Sequence, residues 1–382
     1  MSKEKLVPKL RFSGFDDDWQ ETTLNDIATF SKGKGISKND ISEEGIECVR
    51  YGELYTKYGE LIYNIDSKTN LNKNELVLSN KNDILIPCSG ETAIDLATAS
   101  CIQKEQVAIG GDITIIQTNQ YAPFITYYLN QKRNEIARFA QGVSIVHLYS
   151  KDFKVLKMKI PSINEQKKII SLLEVLTKKE QLLEQKYRDY QEFKKYLMQQ
   201  IFAQKLRFDF HDDWEIKKLG EITQINTGKK DVKDKKDDGK YPFFVRSEKI
   251  ERIDSYSFDG EAILIPGDGK IGEVYHYING KFDYHQRVYK ISDFHNDVFG
   301  KYIYYYLEKN FLRQAMKNTA KATVDSLRMD TLNKMPIELP SFEEQIKIAN
   351  SLTFTDEKIN LAKNNIDVVN KFKKCLLQQM FV

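Results

Sequence analysis

The chain has 382 residues, of which 41% are hydrophobic and 30% charged, enough for two or three domains of an ordinary soluble protein. A formal net charge of +3 is close to neutral and by itself argues neither for nor against a nucleic-acid partner. No amino-terminal apolar segment and no run near 18 apolar residues is present, so neither a signal peptide nor a transmembrane helix is expected. The cysteines Cys48, Cys88, Cys101 and Cys375 are scattered, with no CxxC. That reads as reduced thiols of a cytoplasmic protein without a zinc site. His276 and His285 lack the acidic or cysteine company a metal needs and read as ordinary surface or core residues.

The chain order reveals a duplication. Leu10-Arg11-Phe12 and Asp17-Asp18-Trp19 return as Leu206-Arg207-Phe208 and Asp212-Asp213-Trp214. Gly33-Lys34 returns as Gly228-Lys229, and Val49-Arg50 as Val245-Arg246. The first copy then carries about 17 extra residues between Leu54 and Ile84, which marks a loop region, before Ile84–Pro87 realigns with Ile263–Pro266. The second copy is instead lysine- and aspartate-rich over Lys229–Lys240, an expected exposed loop. Short strands are expected at ECVRY, DILIP and ITIIQ in the first copy and at PFFVR, AILIP and RVYKI in the second. One moderate helix follows in each, near Pro123–Ala140 and Val298–Lys317. Short strands mixed with helix point to an α/β or α+β class.

Each copy closes with a stretch of about 40 residues, Pro161–Phe202 and Pro340–Phe381. Ser162 with Glu165, and Ser341 with Glu344, have the S-x-x-E spacing of a capping box just after a proline. As helices these stretches would reach roughly 60 Å. A seven-residue pattern runs through both. It comprises Leu173, Leu176, Leu183, Tyr187, Tyr190 and Leu197 in the first, and Leu352, Ile359, Ile366, Val369 and Leu376 in the second. That is the seam of a coiled coil, with Lys194 and Lys373 at one equivalent polar position that fixes register. A single copy would equally suit a solvated helix on a globular core; two copies in the same phase favour pairing with each other. The first helix ends in QQIF and leads directly into the second LRF, whereas the second ends in QQMF at the carboxyl terminus. Antiparallel pairing would bring that terminus to the first LRF and give one chain approximate two-fold symmetry.

Motifs for chemistry are sparse. Gly267-Asp-Gly-Lys-Ile-Gly272 matches G-x-G-x-x-G, but a dinucleotide site needs a helix at those glycines, and EVYHYING reads as a strand ending in a turn. A glycine-rich loop close to a ligand backbone fits better, with Lys270 placed to face a phosphate. There is no G-x-x-x-x-G-K, no Pro-Pro loop of amino-methyltransferases, no Pro-Asp of a common nuclease core and no Ser/His/Asp or Cys/His constellation. Basic and hydroxyl residues cluster instead at the expected loops: Lys32, Lys34, Arg50 and Tyr51, then Lys229, Lys230, Arg246 and Ser247, then Gln286 and Arg287. Arg and Gln suit base edges, and Lys and Ser suit phosphates. Each alone is commonly a solvated surface residue. Arg50 and Arg246 stand out by recurring, although a structural salt bridge common to both copies would account for the recurrence equally. Ser89, in the loop aligned with GDGKIG, joins the DNA-contact candidates. So do Ser144 and Thr323, in loops after the moderate helices.

Taken together, the duplicated LRF and DDW segments, the ILIP strands and the P-S-x-x-E-Q to QQ-x-F helices resemble the specificity (S) subunit of type I restriction–modification enzymes over essentially the whole chain. The resemblance implies two similar α/β target-recognition domains, 1–160 and 203–338, separated by long antiparallel helices, 161–202 and 339–382. Each domain would read one half of an asymmetric split site in double-stranded DNA. The helices would set the gap and dock two methyltransferase subunits, and two ATP-dependent translocase–nuclease subunits would complete the assembly. The chain itself would be non-catalytic, with S-adenosylmethionine, ATP and Mg on its partners. CSGETA departs from its counterpart GDGKIG in keeping only one glycine, Gly90, and no lysine. Two rivals from other classes are a coiled-coil scaffold that binds only proteins and a nucleotide-dependent enzyme using GDGKIG.

Overall fold

The computed structural model describes residues 7–142, 146–316 and 327–382. It comprises two compact units, Met1–Leu182 with Ile366–Val382, and Leu183–Asn365.

In the first unit a five-stranded sheet runs in the order Ala28–Lys32, Ile113–Thr118, Ile84–Pro87, Ser100–Ile102 and Leu61–Ile62. Its central strand is buried along its whole length because both faces are covered. Ile84 and Ile86 pack with Phe124, Tyr127 and Tyr128 of the helix Ala122–Gln131, and Leu85 packs on the opposite side with Val49, Leu54 and Ile109. This is the alternation of a pleated strand. The second unit repeats the plan on a six-stranded sheet. Ile263 and Ile265 of Phe258–Pro266 face the helix Gly300–Met316, while Ala262 and Leu264 join Phe244, Phe282 and Tyr284 on the other face. The extra residues of the first copy are more than a loop. They complete the helix Tyr51–Thr56 and supply the strands Leu61–Ile62 and Ser67–Thr69, which pair into the sheets. The strand His276–Tyr284 also departs from expectation. It does not end at Gly280 but continues past it, with Gly280 opposite Gly260, both at positive φ that favours glycine.

The long helices span Ile163–Phe202 and Phe342–Met380. In the first unit the start of the first helix lies with the end of the second: Leu173, Leu176, Leu376 and Met380 share one core. In the second unit the roles are exchanged, and Leu197, Met198 and Ile201 share a core with Ile348, Ala349 and Leu352. Both pairings are therefore antiparallel. Leu173, Leu176, Leu197, Leu352, Val369 and Leu376 are buried; Leu183, Tyr187, Tyr190, Ile359 and Ile366 are half-buried. In the second unit Leu206 N donates to Gln200 O across the covalent turn at 3.2 Å; in the first, Leu10 N donates to Gln379 O at 2.9 Å with no chain link between them. Phe381 stacks on Phe124 at 5.2 Å, and Phe202 meets Tyr306 edge-on at 5.5 Å.

The repeated motifs converge where each long helix begins. Arg11 donates twice to Glu165 at 2.8 Å, and Trp19 Nε1 donates to the same carboxylate. Arg207, Trp214 and Glu344 repeat this at 2.7–3.3 Å. The next residue braces the moderate helix: Gln166 accepts from Tyr121 N, and Gln345 from Phe299 N. The capping-box expectation is thus corrected in its acidic half. Ser341 Oγ does accept from Glu344 N at 3.4 Å, but both glutamates are buried and committed to the Arg–Trp pair. A charged guanidinium and an indole are stronger claims on a buried carboxylate than a helix amide.

Candidate nucleic-acid interface

In the second unit three loops and a strand end meet. Gly228 has no room for a side chain: a Cβ there would lie 2.0 Å from Tyr284 O and 2.7 Å from His285 O. That close approach lets Lys230 bridge His285, and Gln286 N donates to Lys230 O at 2.8 Å. Gly267 N donates to Arg287 O at 2.8 Å, which draws the GDGKIG loop onto the same turn. Asp268 then accepts from Arg246 Nη1 at 3.1 Å and from Arg287 Nη1 at 2.8 Å. Burial pushes the Asp268 carboxyl up, but these hydrogen bonds and charges prevail and hold it below the ordinary aspartate range. Gln286 Nε2 donates to Asp231 at 3.1 Å. His285 is buried, and Arg287 N donates to its Nδ1 at 3.0 Å. Because an amide only donates, that imidazole is neutral. Burial, then the charge of Arg246, lowers its pKa. His276 is also lowered by burial, and its Nε2 lies 3.0 Å from Ser247 O.

The structure therefore brings Lys230, Arg246, Ser247, Gln286 and Arg287 together, with Lys229 exposed beside them. Lys270 is exposed and pairs with Glu248 at 3.5 Å. The loop Gly267–Gly272 leads into a turn and then the strand at His276, and no helix begins at its glycines. That removes the geometry a dinucleotide site requires.

The first unit arranges its loops by the same close approach but a different chemistry. A Cβ on Gly33 would lie 2.0 Å from Gly110 O, and Lys34 N donates to Ile109 O at 3.0 Å. Lys32 and Lys34 are exposed at the end of strand Ala28–Lys32. Arg50 N donates to Glu53, and its guanidinium lies 3.6 Å from the same carboxylate, which Ser67 and Lys57 also engage. Arg50 Nε is buried without a hydrogen-bond partner among the described residues. Arg50 and Arg246 thus share sequence register but not a salt bridge. Tyr51 is exposed. Ser89 is buried, with Oγ 3.1 Å from His147 Nδ1. Ser144 and Thr323 lie outside the described residues.

Asp268 and Asp231 are not evident as site residues in the sequence, where the cations stand out and the acids that hold them do not; His285, expected to be an ordinary surface or core residue, is buried. Asp268 sits two residues from Lys270 in the loop singled out; its signal was an acid between glycines, in a copy whose other candidate loops each offer one arginine, Arg246 and Arg287.

Comparison with known proteins matches this architecture. The family described as the type I restriction modification DNA specificity domain matches twice, over residues 16–189 and 211–371. The chain belongs to that family, and its role is sequence-specific DNA recognition. Among curated relatives, the specificity subunit of the type I restriction enzyme EcoDI of Escherichia coli is 29% identical over 43% of this chain and 37% of its own length. The MjaVIII specificity subunit of Methanocaldococcus jannaschii is 23% identical over 98% of this chain and 95% of its own. In fold, the chain is similar to the S subunit of a type I restriction–modification system from M. genitalium: TM-score 0.71, 17% identity, 98% of this chain and 99% of that one. A chain from a study of complex assembly and conformational transition in the type I R-M system aligns with TM-score 0.56 and 16% identity over 96% and 98%.

Proposed function

We propose that the two globular parts, 1–160 and 203–338, each read one half of an asymmetric, split site in duplex DNA, and that the helices 161–202 and 339–382 set the gap between the halves. The observation that carries this reading is the convergence of Lys230, Arg246, Gln286 and Arg287 on one turn of the second unit, against the quite different loop chemistry of the first. Like scaffolds with unlike loops favour unlike half-sites. Lys32, Lys34, Arg50, Tyr51, Ser89, Ser144, Lys229, Ser247, Lys270 and Thr323 complete the set of residues we assign to DNA or its near surroundings.

The chain acts as a non-catalytic subunit. Two methyltransferase subunits dock on the helices, and two ATP-dependent translocase–nuclease subunits complete the restriction complex; S-adenosylmethionine, ATP and Mg belong to those partners. Docking is supported by apolar side chains left exposed on the helices. Val175, Leu182, Val368 and Phe372 are exposed in the first unit, and Phe193, Tyr196, Phe354 and Leu361 in the second. The test is single-molecule sequencing of methylated adenines in a host carrying this chain and its cognate methyltransferase. Methylation at one split site with two unlike halves is expected. No split motif, or two identical halves, overturns the proposal.

A further inference from the structure

We infer that Asp268 is a positioning residue that aligns Arg246 and Arg287 as a paired reader of guanine, in one half-site only. The inference rests on the DNA-reading role proposed above. Both arginines give Asp268 the same terminal nitrogen, Nη1, and their side chains remain exposed while the carboxylate behind them is largely covered. The backbone beneath is fixed. Gly267 N donates to Arg287 O at 2.8 Å, Leu327 N donates to Gly267 O at 2.8 Å, and Tyr289 OH donates to Leu327 O at 2.9 Å. A carboxylate shared by two guanidinium groups offsets their mutual repulsion and limits their rotamers before any ligand arrives, so less freedom is lost on binding. A guanidinium fork matches the N7 and O6 acceptors of guanine bidentately. The carboxylate also discriminates. It lies about 3 Å from the arginine nitrogens and repels a phosphate brought to them, whereas the uncharged edge of guanine meets no such penalty. Among its described residues the first unit has no such device. Ser89 stands at the position aligned with Asp268, and its hydroxyl is turned onto His147.

The test uses the intact complex of this chain with its methyltransferase subunits and a library of duplexes randomised at both half-sites, titrated with salt. Asp268→Asn and Arg287→Lys are each expected to relax a preference for guanine at one or two positions of a single half-site. A ten- to roughly hundredfold loss of discrimination matches one bidentate pair. The other half-site serves as the control for folding. Affinity for non-specific duplex should hold or rise in Asp268→Asn, because a negative charge is removed; a residue with only a structural role would lower it. Unchanged base preference in Asp268→Asn overturns the inference. So does uniform weakening across all sequences in Arg287→Lys with the salt slope reduced by about one, the mark of a phosphate contact. A wild-type complex that selects no split site overturns the proposed function and this inference with it.

Discussion

The two units close the same scaffold by different means. In the second, the helix end Leu197–Phe202 passes covalently into Leu206; in the first, the helix end at Leu376–Phe381 reaches Leu10 only through packing and a hydrogen bond. The anchors nevertheless match almost atom for atom: arginine and tryptophan on a buried glutamate, glutamine on the next helix, glycine pressed against a carbonyl. The loops between the anchors differ. Arg246 is shared with Arg287 on one aspartate, while Arg50 is absorbed by Glu53 near its own helix. Identical frames with divergent loops mean that stability and recognition reside in separable residues.

The strongest test of the common frame is to damage the same anchor in each unit. Glu165→Ala strands Arg11 and Trp19, and Glu344→Ala strands Arg207 and Trp214. Removing one partner from a pair this buried costs about 3–5 kcal/mol. Urea titrations should show losses that agree within about 1 kcal/mol, a usual context effect. A large loss in only one unit would break the equivalence. Gly33→Ala and Gly228→Ala sharpen it further, because each Cβ would fall 2.0 Å from a carbonyl oxygen. Overpacking of that kind costs about 1–3 kcal/mol or more and should displace the adjacent basic loop.

The frame was legible because it is written in residues that recur. LRF, DDW, E-Q and QQ-x-F each mark a contact made in both units, so repetition in the sequence stood in for proximity in space. The central strands were readable for the same reason: Ile84–Pro87 and Ile263–Pro266 are buried on both faces and hence apolar throughout. The loops were legible only as charge. That Arg246 and Arg287 meet on Asp268 depends on which loops the sheet register brings together, and no local pattern encodes it; the turn of Arg50 to Glu53 is local, an i,i+3 pair at the start of a six-residue helix. The extra segment after Leu54 was misjudged as loop because its strands have only two or three residues, too short for alternation to register.

The helix seam sharpens the contrast at smaller scale. In the second unit Lys194 is largely covered and pairs with Glu308 at 2.9 Å and Asp356 at 2.8 Å; in the first, Lys373 reaches Glu180 at 3.4 Å. Lys194→Ala leaves two carboxylates facing each other, and burial already pushes Glu308 up. It should destabilise by about 2–3 kcal/mol, against roughly 1 kcal/mol for Lys373→Ala, read from denaturant midpoints. Equal losses would remove the distinction. A pH series offers a gentler probe. Burial holds the pKa of His276 and of His285 below 6.5 in the folded second unit. The unfolded chain therefore takes up protons first, and stability present above pH 6.5 falls as pH drops through and below it. Protonating His285 Nδ1 also evicts the Arg287 amide. His285→Asn should flatten this acid dependence, measured by melting temperature between pH 7.5 and 5.5; an unaltered profile would show that the imidazole plays no part.

The smallest effect on stability is expected on the exposed helix faces. Leu182 and Leu361 occupy equivalent positions and leave 63% and 55% of their surface open. Substituting glutamate at either buries no new charge, so stability should change by no more than about 0.5 kcal/mol. If these faces receive the methyltransferase subunits, a carboxylate in the contact would be desolvated without a counterion, and association should weaken severely. Co-purification of the tagged chain with its methyltransferase should then fall from two copies to one in Leu182→Glu or Leu361→Glu, and to none in the double variant. Full retention of both copies by the double variant would show that the apolar faces are not where the partners sit. The stepwise outcome would show that the frame is duplicated on its outer surface as well as in its core.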